Sequence, residues 1–556
     1  MPLYFAFFRK SLIIFFCPVL KMLKNLFYYK SSRKIHYDTQ TGTATIFPHK
    51  YSLEDTETIK TFNILAVLGI LNAGNKALPA EYFFFVTDGD LVGSMNGFSV
   101  YSIKKIKYLS LTGPQQNEEA DNIKNFIETH HFYCTFSPLN DCYIWNKMLQ
   151  ENFSKKIGEK TGENCDESAV VNRSPFLSAK SKKTLISGFE PGSSYRKTQQ
   201  PPNSKTRNEN STYLIYNDPP DEHNFLLGNL FCGYYEYQLY RNSGDAYEFE
   251  IRSFISTSKI GPRMLCRGVD ELGNVSFFVK TVFIANRNKV GKKKDDNEIF
   301  FEIFRGSIPL FWSQDDPLKP SKIIFEKDKS KHKYAFNHHF DNFDNEVVVI
   351  DLLGHTRSEK LLSKEYEILC KERNLKYINF NLNAFSNDYE KMKTRFYSLF
   401  SSVIYDDDEK RCDLESQQNA WESSSDSSFS NSIDSYSVPE QNQIVSCPKI
   451  NKNIIFRVNC LDCLDRTNLC QFLIFNFFNP YKFNLIKTMW KNNGNALSQL
   501  YTGSSALKSD FSRDKKRSFL SRMNDIVISA NRMINNTFTD KDKARVIEIL
   551  LKGEVE

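Results

Sequence analysis

The sequence predicts an α/β protein in two parts, a β-rich N-terminal part followed by an α/β part that carries the chemistry. Three observations point there. Short apolar runs separated by turn signals fill residues 24–153. After about residue 226, apolar runs alternate with segments of helical spacing, the pattern of a sheet flanked by helices. One such run, Ile454–Val458, leads into a loop containing cysteine and arginine and then into a further helical pattern. In the N-terminal part, Ile64–Leu71 and Tyr82–Thr87 are expected strands. The second is expected to close on a turn at Asp88-Gly89-Asp90, and Ser99–Ile106 to follow as another strand. In the second part, Phe277–Ile284, Ile308–Trp312 and Val347–Leu353 are expected as buried strands. Leu361, Leu362, Tyr366 and Leu369 give Ser358–Arg373 a helical apolar face.

Two polar stretches interrupt these patterns. Residues 154–210 are rich in Lys, Ser, Asn, Gly and Pro, including Gln199-Gln200-Pro201-Pro202. Residues 406–446 are acidic and Ser-rich. Neither holds enough apolar surface to pack, so both are expected as disordered insertions. The expected domains are therefore 22–225, containing the first insertion, and 226–552, containing the second. Residues 1–21 stand apart as an extension. Their apolar run is divided by Arg9 and Lys10, and Ser11–Leu20 is too short to span a bilayer. A signal peptide and a true start at Met22 both remain open there. No other stretch is apolar for long enough, so no transmembrane helix is expected.

Charge and cysteine usage narrow the class. The 556 residues carry a formal net charge of +7, but Asp406–Glu440 holds ten acidic and two basic residues, which leaves +15 on the rest. A basic body suits an anionic partner: nucleic acid, an anionic membrane or a phosphorylated substrate. Lys508–Arg522 concentrates six basic residues against Asp510 and Asp514. Twelve scattered cysteines do not form the dense, even framework of a small secreted scaffold, and they read as reduced and cytosol-facing.

The segment after Ile454–Val458 reads Asn459-Cys460-Leu461-Asp462-Cys463-Leu464-Asp465-Arg466-Thr467-Asn468, and Leu469, Leu473 and Phe477 then recur at helical spacing. Cys460 thus stands at a strand end, with Arg466 six residues on, in a loop that opens a helix. Backbone N–H groups of such a loop form a nest for an anion, and the helix dipole adds positive charge. The same field favours the thiolate of Cys460 as a nucleophile. Arg466 can grip two phosphoryl oxygens, and Thr467 can hydrogen-bond the departing thiolate. Asn459, Leu461, Cys463 and Leu464 complete the substrate-binding loop. Two roles are open for Asp462 and Asp465: a protonated carboxyl that gives its proton to the leaving group, or a carboxylate that orients Arg466. A zinc half-site, a redox pair at Cys460 and Cys463, and a buried structural cysteine are the competing readings. The chain has no second Cys-x-x-Cys.

The segment resembles the signature of the Sac-domain phosphoinositide phosphatases, Arg-x-Asn-Cys-x-Asp-Cys-Leu-Asp-Arg-Thr-Asn, matched from Arg457 to Asn468. Val67-Leu68-Gly69-Ile70, Arg267-Gly268-Val269-Asp270 with Gly273-Asn274-Val275, Arg305 to Gln314 and Trp490 to Arg517 are similar to further blocks. The resemblance implies a β-rich N-terminal Sac domain followed by a Cys-x5-Arg phosphatase domain, with Cys460 as nucleophile and Arg466 as phosphate binder. It also implies no metal and no other cofactor, a phosphoinositide lipid in an anionic membrane as partner, and no nucleic acid. Ala506-Leu507-Lys508-Ser509-Asp510-Phe511 looks most like the branch acting on phosphatidylinositol 4-phosphate, and adds Lys508 to the substrate-binding set. The same branch implies intracellular membranes, endoplasmic reticulum or Golgi, and with no transmembrane helix expected the attachment is expected to be peripheral. The sequence departs from the family at Phe277–Val282, at Asn381-Leu382-Asn383, and at Asn492 and Asn495. Those departures leave a weakly active or inactive Sac-domain scaffold as the alternative.

Overall fold

Aromatic and β-branched residues cluster where the strands form, and the longest runs join into one sheet. The computed structural model describes residues 33–38, 43–48, 59–74, 80–161, 214–216, 227–242, 245–263, 265–289, 299–314, 323–354, 356–385, 388–405, 454–481, 483–506 and 540–555. The expected extension 1–21, the bulk of 154–210, the whole of 406–446 and the basic segment from Lys508 to Arg522 lie outside the described residues.

The described residues begin with β1 (Arg33–Asp38), β2 (Thr43–Pro48) and β3 (Ile59–Ile64), which with β8 (Leu214–Tyr216) form a four-stranded sheet in the order β3-β1-β2-β8. The main sheet takes β4 (Ala66–Asn72), β5 (Glu81–Met95), β6 (Phe98–Thr112) and β7 (Phe132–Thr135) from the N-terminal part. It continues through β9 (Asn229–Asn242), β10 (Asp245–Ile255), β11 (Val279–Lys289) and β12 (Ile299–Arg305). A two-residue pair, β13 (Trp312–Ser313) with β14 (Ile324–Phe325), stands apart. The last strands of the main sheet are β15 (Glu346–Asp351), β16 (Lys376–Asn379) and β17 (Ile454–Asn459). Eleven strands run in the order β16-β15-β17-β12-β11-β10-β9-β7-β6-β5-β4. Pairing is antiparallel from β4 to β12 and parallel from β12 through β17 and β15 to β16. The chain is thus a mixed α/β protein, as expected. The sheet crosses residue 225 without a break, because β7 pairs with β9.

Eight α-helices flank the sheet among the described residues: α1 (Glu118–Thr129), α2 (Lys147–Thr161), α3 (Lys329–Asp341), α4 (Arg357–Glu372), α5 (Tyr389–Ile404), α6 (Asp465–Phe478), α7 (Asn484–Thr502) and α8 (Asp540–Lys552). The parallel end is covered on both faces, and the period-2 alternation of its strands divides the core. Val348, Ile350, Phe456 and Val458 pack with Phe396, Phe400, Phe475 and Trp490 of α5, α6 and α7. Val347, Val349, Ile455 and Phe304 face Phe336, Phe340, Leu362 and Tyr366 of α3 and α4. C-terminal α8 returns to the N-terminal part, where Asn152 Nδ2 and Asn72 N–H both donate to the Gly553 carbonyl. None of the described helices is long and apolar enough to cross a membrane.

Five expectations need correction. The chain does not turn at Asp88-Gly89-Asp90. β5 runs on to Met95 through several register shifts and turns at Asn96-Gly97, where φ is +52° and +82°. Ile308–Trp312 is no strand: Ile308 and Leu310 are buried in a loop, and only Trp312–Ser313 pairs. Phe277 and Phe278 precede β11; Phe277 sits at φ +51° and stacks on Tyr501, with ring centroids 4.1 Å apart. Residues 154–161, counted into the first insertion, continue α2. The helix over Ser358–Arg373 is present as α4, but Leu361 is 60% exposed, so the buried face is Leu362, Tyr366 and Leu369.

Candidate active site

The loop after β17 lies between β12 and β15 at the carboxyl ends of the parallel strands, where the strand order reverses, with β16 on one side of β15 and β17 on the other. Open sheets bind ligands at such a place. The apolar strand Ile454–Val458 brings Cys460 there, and α6 starts at Asp465, as the spacing of Leu469, Leu473 and Phe477 predicted. The N-cap of α6 is Leu464, which has no side-chain acceptor, so the first-turn N–H groups face the loop without a competing cap.

Cys460 is buried, and its Sγ accepts the backbone N–H of Cys463 at 3.1 Å. Cys463 makes this contact from a left-handed conformation, φ +53°, which costs a residue with a Cβ about 1–3 kcal/mol. The second thiol points elsewhere: Cys463 Sγ donates to the Gly306 carbonyl at 2.8 Å, and burial pushes it up to about 12. The two cysteines are thereby distinguished. One sulfur receives an N–H at the start of the loop, and the other is a buried thiol beneath it.

Positive charge surrounds the loop. Arg267, from the Arg267-Gly268-Val269-Asp270 block, donates to the Leu461 carbonyl at 3.1 Å and to Asp462 Oδ1 at 2.6 Å. Arg263 reaches the other Asp462 oxygen at 3.4 Å. Burial alone would push the Asp462 carboxyl up, but Arg263 and Arg267 overwhelm it and hold the group well below the usual carboxylate range. Arg305, at the end of β12, lies fully buried under the loop. It donates to the Cys463 carbonyl at 3.4 Å and to the side-chain oxygens of Asn468 and Gln471 on α6. Burial draws its guanidinium down to about 10. Arg457, inside β17, binds the carbonyls of Gly306 at 3.0 Å and Ser307 at 2.7 Å. Five arginines, Arg466 included, thus surround this loop against the carboxylates of Asp351, Asp462, Asp465 and Glu359, a net positive set suited to a phosphate.

Arg466 donates through Nη1 to the Leu352 carbonyl at 3.0 Å and through Nη2 to Glu359 Oε1 at 2.9 Å. Burial lowers its basicity, but Cys460 and the Glu359 carboxylate outweigh that and raise it. Asn459, the last residue of β17, donates from Nδ2 to Asp351 Oδ1 at 2.9 Å, and its own Oδ1 is buried with no hydrogen-bond partner. Asp351 also accepts from Ser363, Tyr377 and Asn379. Thr467 is buried one residue past Arg466, and its Oγ1 likewise has no partner. Asp465 is the first residue of α6 and half-buried, while Leu461 is half-buried and Leu464 fully buried. Lys508 lies outside the described residues.

The structure therefore brings Asn459, Cys460, Leu461, Asp462, Cys463, Leu464, Asp465, Arg466 and Thr467 into one loop. It gives Asp462 a partner other than Arg466, the two arginines upstream. The spacing argument missed Arg263, Arg305, Asp351 and Glu359. Arg305 and Arg267 stand in blocks quoted above for resemblance alone, and Thr356-x-x-Glu359 is a capping-box pattern that marks the start of α4. Among the described residues, no group of three or more His, Cys, Asp or Glu stands close enough to hold a metal ion.

Comparison with known proteins adds the following. Residues 65–393, more than half of the chain, match the family model of the SacI homology domain. That span ends before the Cys460 loop. The chain is 33% identical over 319 residues to the polyphosphatidylinositol phosphatase INP53 of Saccharomyces cerevisiae, covering 53% of this chain and 26% of that protein. It is 32% identical over 320 residues to inositol-1,4,5-trisphosphate 5-phosphatase 1 of Schizosaccharomyces pombe, with 54% and 26% covered. Similarity to the phosphoinositide phosphatase SAC5 of Arabidopsis thaliana is 24% over 521 residues, 85% of this chain and 61% of that one. An alignment over 85% of 556 residues necessarily runs through residues 460–466. The chain spans only about a quarter of the two yeast relatives.

Proposed function

The chain belongs to the SacI homology domain family, and from that premise we propose that it is a phosphoinositide phosphatase acting through a phosphocysteine. The observation that carries the reading is the loop itself: the Cys460 sulfur at a strand end, facing the Cys463 N–H, with the Arg466 guanidinium coupled to it electrostatically. The β-rich part up to β7 and the part bearing the loop share one sheet, in which β7 pairs with β9. The relatives' names describe phosphatases of inositol phosphates and phosphatidylinositides, which favours an inositol-ring phosphate over a phosphoprotein.

In this mechanism the Cys460 thiolate attacks phosphorus, the sulfur–phosphorus bond forms, and the bond from phosphorus to the inositol oxygen breaks. Arg466 and the N–H groups of the loop take up the charge on the phosphoryl oxygens. The leaving oxygen needs a proton. Asp462 is held ionised by two arginines, which argues against it as the donor, and we assign that role to Asp465, the other acid at the loop. Water then cleaves the phosphocysteine, with Thr467 Oγ1, buried and without a partner, placed to donate to the returning thiolate. Neither step calls for a metal ion.

The narrower substrate we infer is phosphatidylinositol 4-phosphate, on the strength of the Ala506–Phe511 sequence. Phosphate release should be measured on vesicles carrying each phosphatidylinositol monophosphate in turn and on phosphopeptides. The expected result is turnover of the lipids, fastest on the 4-phosphate. Equal or faster release from phosphopeptides contradicts the lipid assignment. Vesicle binding without any release, from protein whose fold is intact, establishes the scaffold alternative.

A further inference from the structure

Arg466 is aimed from outside its own loop. A guanidinium carries five N–H groups in one rigid plane, so two hydrogen bonds fix both its position and its rotation. Here the two are Nη1–H to the Leu352 carbonyl at 3.0 Å and Nη2–H to Glu359 Oε1 at 2.9 Å. The Nε–H and one N–H on each terminal nitrogen remain, enough for a two-point grip on phosphoryl oxygens.

Both anchors are themselves fixed. Leu352 N–H donates to the Asn459 carbonyl at 2.9 Å, and Asp351 Oδ1 accepts Leu353 N–H at 3.0 Å and Asn459 Nδ2 at 2.9 Å. The turn that offers its carbonyl to Arg466 is therefore tied to the strand end that carries Cys460. Glu359 sits in the first turn of α4, where Thr356 Oγ1 accepts its backbone N–H at 3.3 Å and donates to its Oε2 at 3.1 Å. One carboxylate oxygen belongs to the helix cap and the other to Arg466. A cap needs only the first. The Glu359 side chain is 9% exposed and that of Arg466 20%, so solvent screens this pair far less than an exposed one.

We propose that Glu359 is the positioning residue of Arg466: a capping-box carboxylate on a neighbouring helix that sets the guanidinium in register with Cys460. The inference rests on the phosphatase reading of the loop. Glu359 touches neither phosphate nor the reacting atoms. Its effect passes through Arg466, which must track charge as it moves onto the phosphoryl oxygens, so its loss weakens the transition state more than the ground state.

The test uses the full chain with Glu359→Gln, which keeps an acceptor for Thr356, and Glu359→Asp, which keeps the charge but shortens its reach by one methylene. Each is compared with wild type, Arg466→Lys and the double variant Glu359→Gln/Arg466→Lys, with orthovanadate as a mimic of the phosphoryl-transfer transition state read by calorimetry. Both single Glu359 variants should lose about tenfold to a hundredfold in kcat with KM changed much less, and should bind vanadate more weakly. In the Arg466→Lys background Glu359→Gln should add little, because the two residues act as a unit. Wild-type kcat and vanadate affinity in folded Glu359→Gln overturn the inference, and so does full additivity of the two substitutions. Wild type that neither releases phosphate nor binds vanadate overturns the phosphatase reading instead.

Discussion

Asp462 shows what residue spacing leaves open. Asp462 and Asp465 read alike in the sequence as acids in an anion-binding loop, and only distant partners separate them. The arginines that hold Asp462 ionised lie 195 and 199 residues upstream, beyond the reach of any local pattern. The placement of Cys460, Arg466 and Thr467 was legible because strand end, loop and helix follow one another without interruption. The pairing of Asp462 has a consequence for stability. Its folded pKa is depressed, so its contribution is fully present above the unfolded value of about 3.9 and is lost as pH falls through the folded one. Asp462→Asn should therefore lower unfolding stability at neutral pH by about 1–3 kcal/mol. The difference from wild type should shrink progressively below about pH 4. Denaturant midpoints of the two proteins at neutral and acid pH provide the check, and a difference that grows on acidification contradicts the assignment.

Elements were legible in kind and less so in extent. The run Glu81–Met95 contains an Asp-Gly-Asp that signals a turn, yet pairing with β6 carries the strand through it, and the register shifts absorb the irregularity. Ile308–Trp312 is apolar because it is buried under α3 as a loop, and burial alone does not distinguish a strand from a packed loop. The crossing of α6 and α7 was invisible to periodicity because its determinant is a missing side chain. A Cβ on Gly494 would stand 2.7 Å from Asn468 Nδ2, and Asn468 is held by Arg305 beneath the loop. Gly494→Ala gains helix propensity but must displace that amide. The expected net loss is about 1–3 kcal/mol of stability together with a fall in turnover, since the Asn468–Arg305 contact supports Cys463. Thermal unfolding and kcat measured on the same preparation test this. A variant as stable and as active as wild type shows that the helices can separate freely.

At the scale of the whole molecule, the expected division near residue 225 marks a change in composition, while the hydrogen-bonded sheet runs across it and α8 packs back on the first part. On the proposed function, the loop, near one end of that sheet, meets a lipid headgroup at a bilayer surface. Outside Asp406–Glu440 the chain carries +15, and Lys508–Arg522 carries a net +4. Each basic residue near an anionic surface contributes about 1 kcal/mol, screened by salt. Lys515→Glu, Lys516→Glu and Arg517→Glu together should weaken binding to phosphatidylserine-containing vesicles and spare hydrolysis of a soluble short-chain phosphoinositide. Cosedimentation and phosphate release measure the two effects separately, and unchanged vesicle binding marks the basic segment as merely solvated.

The central claim, that Cys460 is the nucleophile and Cys463 is not, has a direct test. Turnover of a short-chain phosphoinositide is quenched in alkaline denaturant within the first catalytic cycles, and the digested protein is mapped by mass spectrometry. The account predicts one phosphoryl group on Cys460, retained when Cys463 is replaced by Ser and absent from Cys460→Ser, which should also release no phosphate. A phosphoryl group on Cys463, or undiminished phosphate release by Cys460→Ser, contradicts it.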